Sequence, residues 1–119
     1  MKVLVTGASG QLGHELARSC QQDVSLISTN HETLDITHTV AIEDALLKHE
    51  PDWLINCAAY TAVDKAESDK ATATAINATA AGAIANACAA NGVRLAQIST
   101  DFVFDGAQST PYLPDDEPN

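Results

Sequence analysis

Short apolar runs rich in β-branched residues alternate along this chain with longer stretches in which apolar positions recur every three or four residues. KVLVT (2–6), closed by a glycine, predicts a buried strand. QLGHELARSC follows as a helix, with Leu12, Leu16, Ala17 and Cys20 on one side and His14, Glu15 and Arg18 off it. VSLIS (24–28) reads as a second strand, and TLDIT (33–37) as either a very short third strand or a loop. TVAIEDALLKH (39–49) sets Ile42, Ala45, Leu46 and His49 at helical spacing, and Pro51 marks its end. WLINCAA (53–59) is another strand, which places Cys57 in the core. The alanine-rich segment 69–91 is helical, with Ile76, Ala80, Ala83, Ile84 and Ala87 on one face and a stop at Asn91-Gly92. VRLAQIS (93–99) is the last strand. The remaining residues carry three of the four prolines and read as loop.

Strands alternating with helices imply right-handed βαβ units and a parallel sheet. The expectation is one α/β domain over residues 1–119. It is a doubly wound, Rossmann-like sheet of five strands in the order 3-2-1-4-5, with helices on both faces.

Composition narrows the partners. The hydrophobic fraction of 45% and charged fraction of 18% suit a globular domain. A net charge of −10 argues against a general nucleic-acid binder or an anionic-membrane binder. It leaves room for a phosphate ligand, because backbone N–H groups bind phosphate without lysine. Cys20, Cys57 and Cys88 show neither CxxC nor zinc spacing, which suggests buried free thiols in a reducing compartment. No run of about 20 apolar residues occurs, and glycines interrupt the first apolar run too early for a secretory signal. The expected location is the cytoplasm. The NAT sequon at Asn77 is read as chance.

The chemistry concentrates in VLVTGASGQLGHEL, where Gly7, Gly10 and Gly13 lie between the first strand and the first helix. The first glycine permits a tight turn, the second lets backbone approach a pyrophosphate, and the third allows close helix packing. The helix N-terminus offers free N–H groups and the positive end of its dipole. A P-loop would need Gly-Lys-Ser/Thr, which is missing. The alternative is a glycine turn used only for packing.

The spacing is GxxGxxG with TG before it, and in this form it resembles the extended short-chain dehydrogenase/reductase superfamily. NCAAYTAVDKAE (56–67), INAT (76–79) and QISTDFVFDG (97–106) extend the resemblance. Together GxxGQLGxEL, AAYTAVDKAE and STDFVFDG resemble the dTDP-4-dehydrorhamnose reductase family, over essentially the whole chain. The resemblance implies reduction of a dTDP-4-keto sugar by NADPH or NADH, within polysaccharide biosynthesis. It puts Gly7, Gly10, Gln11, Leu12 and Gly13 around the dinucleotide, Asp35 and Ile36 beside its adenine, and Ala58, Ala59, Tyr60 and Ser99 toward its nicotinamide side. It makes Thr100 the catalytic hydroxyl on the 4-keto oxygen, with Thr61, Val63, Asp101 and Phe102 facing the sugar. It makes Asn77 a structural asparagine. Each has a plainer alternative: Thr100 and Asp101 as turn formers, Thr61 and Val63 as cap and staple of the next helix, and Asp64, Lys65 and Glu67 as a charged helix start. Glu15 matches a magnesium position of some relatives, against the alternative of a solvated carboxylate. Ser28-Thr29-Asn30-His31, at the end of the second strand, offers neither an immediate acid nor a firm base, so both cofactors stay open.

The superfamily's Tyr-x-x-x-Lys pair has no counterpart here, since Tyr60 and Tyr112 are followed four residues on by Asp64 and Asp116. The expectation is therefore the N-terminal portion of such a reductase, inactive by itself and without the substrate-binding region. A non-catalytic dinucleotide-binding module and a fragment of a nucleotide-sugar epimerase or dehydratase are the alternatives. A homodimer is one open assembly.

Overall fold

In the computed structural model, which describes residues 1–118, four strands form one parallel sheet in the order β2-β1-β3-β4. The strands are β1 (Lys2–Thr6), β2 (Ser25–Ser28), β3 (Trp53–Asn56) and β4 (Arg94–Gln97). Between them lie α1 (Gln11–Ser19), α2 (Thr39–His49) and α3 (Val63–Ala66). A continuous helical rod then runs through α4 (Lys70–Thr74), a π-helical stretch (Ala75–Ala80) and α5 (Ala81–Ala90). A short 3₁₀ turn (Asp101–Val103) follows β4.

Strand register explains the core. Leu4 of β1 sits between Ile27 of β2 and Leu54 of β3, and Leu54 is beside Leu95 of β4. Alternate strand residues share a face, and this row meets Ile42 and Leu46 of α2 with Ile84, Ala87 and Cys88 of α5. Leu4, Leu54 and Ile84 are each 0% exposed. Val3 and Val5, on the opposite face, are buried as well.

The predicted strand at 33–37 does not form, so the sheet has four strands among the described residues instead of five. The expected order otherwise holds. Leu34 and Ile36 are buried with the period of a strand, but side chains take over the backbone there. The Asn30 carboxamide oxygen accepts from the N–H groups of Glu32 and Thr33, and the Asp35 carboxylate accepts from the N–H and hydroxyl of Thr37. Such local bonds replace a ladder with turns.

Helix ends follow the sequence signals closely. α2 closes at Glu50, whose φ is 45° and whose N–H reaches the Leu46 carbonyl at 2.8 Å, and Pro51 follows. α5 closes at Gly92, with φ of 67°; there Val93 N–H donates to the Cys88 carbonyl at 2.9 Å and Gly92 N–H to that of Ala89. The expected apolar side of α1 is less covered than its pattern implied: Leu12 is 41% exposed, Ala17 exposed and Leu16 half-buried. No α1 residue joins the main core cluster among the described residues. Cys88 is buried, but Cys57 lies just past β3 and is half-buried, like Cys20. Three buried thiols therefore reduce to one. All three cysteines are free.

Candidate functional site

The loops after β1, β2 and β3 converge at the carboxyl ends of the strands, where open α/β sheets place ligands. Gly7 has a φ of 66°, in the left-handed region. A Cβ there would lie 2.6 Å from the Ala58 nitrogen and 2.8 Å from the Cys57 carbonyl carbon, so Gly7 also lets the first and third loops touch. A Cβ on Gly13 would lie 2.5 Å from the Ala8 Cα and 2.7 Å from the Gly7 oxygen. Gly13 thus fits α1 against its own entry turn, a different contact from the helix-on-sheet packing expected of it. Gly10 differs: its added Cβ would meet only the Gly7 oxygen, at 3.3 Å. Gly10 is exposed and caps α1 with no side-chain hydrogen bond, and the first turn carries no acid. The orphan N–H groups of that turn and its dipole are left for an anion. Gln11 and Leu12 flank this opening. These features form a cradle that fits a dinucleotide pyrophosphate.

The loop after β3 is held by Asn77. Its carboxamide accepts from Tyr60 N–H at 2.8 Å and donates to the Tyr60 carbonyl at 3.0 Å. Asn77 stands within the π-helical stretch, a feature often found at functional sites. Ala58 is half-buried, Ala59 exposed and Tyr60 half-buried, so two small side chains and one aromatic ring line this loop. Thr61 and Val63 are exposed, and α3 is capped by Ala62 without a side-chain bond, so the capping role considered for Thr61 is not formed. Asp64, Lys65 and Glu67 are exposed around α3.

Beyond β4, Ser99 and Thr100 are exposed. The Thr100 hydroxyl accepts from Phe102 N–H and lies 3.2 Å from an Asp101 carboxylate oxygen, to which it donates. Thr100 and Asp101 therefore shape the 3₁₀ turn, and Phe102 projects at 77% exposure. Asp35 is near the β2 end, whereas Ile36 is 6% exposed and belongs to the core. The Ile36 side chain anchors the loop in the core. Glu15 is engaged by the Arg18 guanidinium at 2.7 Å. The described residues hold no group of three or more His, Cys, Asp or Glu able to take a metal. A shallow groove of about 590 Å³ between α2 and α5, lined by Thr39, Glu43, Gly82 and Asn86, includes none of the residues named above for the dinucleotide or the sugar.

The whole chain, residues 1–119, matches the model of the RmlD substrate binding domain family. The chain belongs to this family. It is 44% identical over 113 residues to the dTDP-4-dehydrorhamnose reductase of Streptomyces griseus, across 94% of this chain and 37% of that protein. A dTDP-4-dehydrorhamnose reductase from Clostridium acetobutylicum superposes with a TM-score of 0.95 at 42% identity, over 100% of this chain and 43% of the other. The one from Bacillus anthracis, solved in complex with NADP, has a TM-score of 0.95 at 35% identity, over 99% and 43%. This chain spans about two fifths of the length of these relatives.

One part of this family member's site was missed by sequence reasoning. Thr6, Asn56 and Gln97 are lateral neighbours at the ends of β1, β3 and β4. The Thr6 hydroxyl donates to the Asn56 carboxamide oxygen, and the Asn56 amide donates to Gln97 at 2.8 Å. Ala58 N–H reaches the same Asn56 oxygen at 3.3 Å. Thr6 and Asn56 are each 1% exposed. This polar ladder, buried at Thr6 and Asn56 and exposed at Gln97, ties three strand ends to the loop that carries Ala58. The available signal was a polar residue closing each of three apolar runs. Burial also raises the proton affinity of the Cys57 and Cys88 thiols, so neither is primed as a nucleophile.

Proposed function

We propose that this chain forms the dinucleotide-binding half of an oxidoreductase that converts dTDP-4-dehydro-L-rhamnose to dTDP-L-rhamnose. The observation that carries the reading is the α1 N-terminus: an exposed glycine cap, no side-chain bond and no acid in the first turn. The NADP complex of a 35% identical relative supports it. When bound, the dinucleotide supplies the hydride that goes to C4 of the sugar. The backbone at Gly10 and the first turn of α1 hold its pyrophosphate. Ala58 and Ala59 give its nicotinamide end a floor of small side chains, and Tyr60, whose backbone is braced by Asn77, stands at the end of that floor. Thr100 turns its hydroxyl from Asp101 toward the 4-keto oxygen and orients it. The proton that completes the new hydroxyl needs another donor, since a threonine hydroxyl is a poor acid near neutral pH.

The test is NADPH oxidation with dTDP-4-dehydro-L-rhamnose, run on this chain and on a chain extended to the length of the relatives. The extended chain turns over, and the 119-residue chain binds dinucleotide yet falls short by at least the roughly 10²–10⁴-fold that a positioned proton donor contributes. Robust turnover by the shorter chain contradicts the account of the proton donor. An extended chain that binds dinucleotide without turnover supports a non-catalytic module.

A further inference from the structure

We infer that His31 decides between a 2′-phosphorylated and an unphosphorylated dinucleotide, and that its protonation makes the choice pH-dependent. The inference rests on the reading of this chain as dinucleotide-binding. It starts from where the ribose next to adenine would lie. The glycine turn is fastened to the end of β2, with Ala8 N–H donating to the Thr29 carbonyl at 2.8 Å. A pyrophosphate over α1 therefore brings that ribose over the β2 end. Dinucleotide enzymes discriminate there with a carboxylate for the 2′-hydroxyl or a base for the 2′-phosphate. Residues 28–34 contain no lysine or arginine, and their one carboxylate, Glu32, is exposed.

His31 occupies the place such a base would take. Its side chain is 84% exposed, and its Nδ1 lies 3.7 Å from an Asp35 carboxylate oxygen. The same oxygen lies 3.5 Å from Nδ1 of His38. The far edge of the His31 ring, with Nε2, is left for a ligand. Asp35 stays ionised throughout the neutral range, because bonds from the Thr37 hydroxyl and N–H hold its carboxyl below the usual value. The local charge is thus set by the imidazoles. With both imidazoles neutral, Asp35 and the neighbouring Glu32 leave two negative charges, which repel a phosphate carrying about −1.5 to −2. Protonating His31 offsets one of these charges and supplies a charge-assisted donor. Protonating His38 adds a further positive charge, but from the cap position of α2, beyond Asp35. The glycine turn (7–13) and the first turn of α2 (39–42) bring no titratable side chain to this spot. Glu32, Asp35 and His38 are the groups that bear on His31. At high pH, NADH escapes the repulsion by Asp35, since its 2′-hydroxyl carries no charge.

The test measures the affinities of the chain for NADPH and NADH by calorimetry at about pH 8 and about pH 6, spanning the histidine range, at one low ionic strength. The NADPH-over-NADH ratio is expected to rise about threefold to tenfold on acidification, the size of an exposed charge-assisted bond. His31→Gln removes the part of the rise that His31 supplies and leaves only the part due to protonation of the phosphate itself, which titrates equally in that variant. His31→Arg gives a high ratio at both pH values, and His38→Gln keeps the rise. A flat ratio in the unaltered chain, a rise undiminished in His31→Gln, or a rise lost in His38→Gln overturns the assignment. Binding of both dinucleotides with a flat ratio overturns this inference alone, whereas binding of neither overturns the reading beneath it.

Discussion

A methyl group added at Gly10 meets a single carbonyl oxygen at 3.3 Å, while one added at Gly7 or Gly13 meets backbone at 2.6 or 2.5 Å. The three glycines therefore separate into one that is exposed with room beside it and two that let the chain close on itself. Gly7→Val, which the spacing alone suggests as a probe of binding, damages the fold through both its φ of 66° and its contact with Ala58. Gly10→Val is the clean probe. Asn77 gives a second residue-scale prediction. It needs an acceptor for Tyr60 N–H and a donor for the Tyr60 carbonyl. Asn77→Ala removes both, costing about 1–2 kcal/mol. Asn77→Asp fares no better, because a carboxylate cannot donate to the carbonyl. Urea midpoints measure this, and an Asn77→Asp variant as stable as the parent would show that the clamp does not form.

At the scale of elements, α2 ends on a non-glycine residue with φ of 45°. That conformation costs an L-residue about 1 kcal/mol. Glu50→Gly is expected to raise stability by about 0.5–1 kcal/mol, read as a higher denaturation midpoint with an unchanged denaturant slope; a lower midpoint contradicts it. Elements also show what the sequence could reveal. Runs such as KVLVT and WLIN stood out because a parallel strand is covered on both faces. TLDIT carries the same alternation, with Leu34 and Ile36 buried, yet Asn30 and Asp35 turn its backbone away from the sheet. Periodicity sees burial and not the competing side-chain bonds. An asparagine amid alanines was visible at position 77, whereas its partner Tyr60, 17 residues away, is a product of the tertiary fold. The glycine turn was legible because backbone geometry alone demands it.

For the molecule as a whole, the sheet leaves β4 with one strand neighbour among the described residues. Its outer N–H and C=O groups form an edge that another chain can extend. A net charge of −10 opposes that pairing and is screened by salt. Self-association is therefore expected to grow with both protein and salt concentration, and light scattering that reports a monomer throughout contradicts it. No helix among the described residues is long and apolar enough to cross a membrane. The carboxyl ends of the strands, the N-terminus of α1 and the ladder of Thr6, Asn56 and Gln97 all lie at one end of the sheet, and the central claim is that this end holds a nicotinamide dinucleotide. Calorimetric titration of the chain and its Gly10→Val variant with NADPH tests it most directly, with thermal unfolding as the control for folding. The account predicts saturable one-to-one binding by the parent chain, weakened more than about tenfold in a variant that stays folded, since a side chain there blocks the close approach of backbone to phosphate. Equal affinity in the two folded proteins, or no binding by the parent chain, would contradict it.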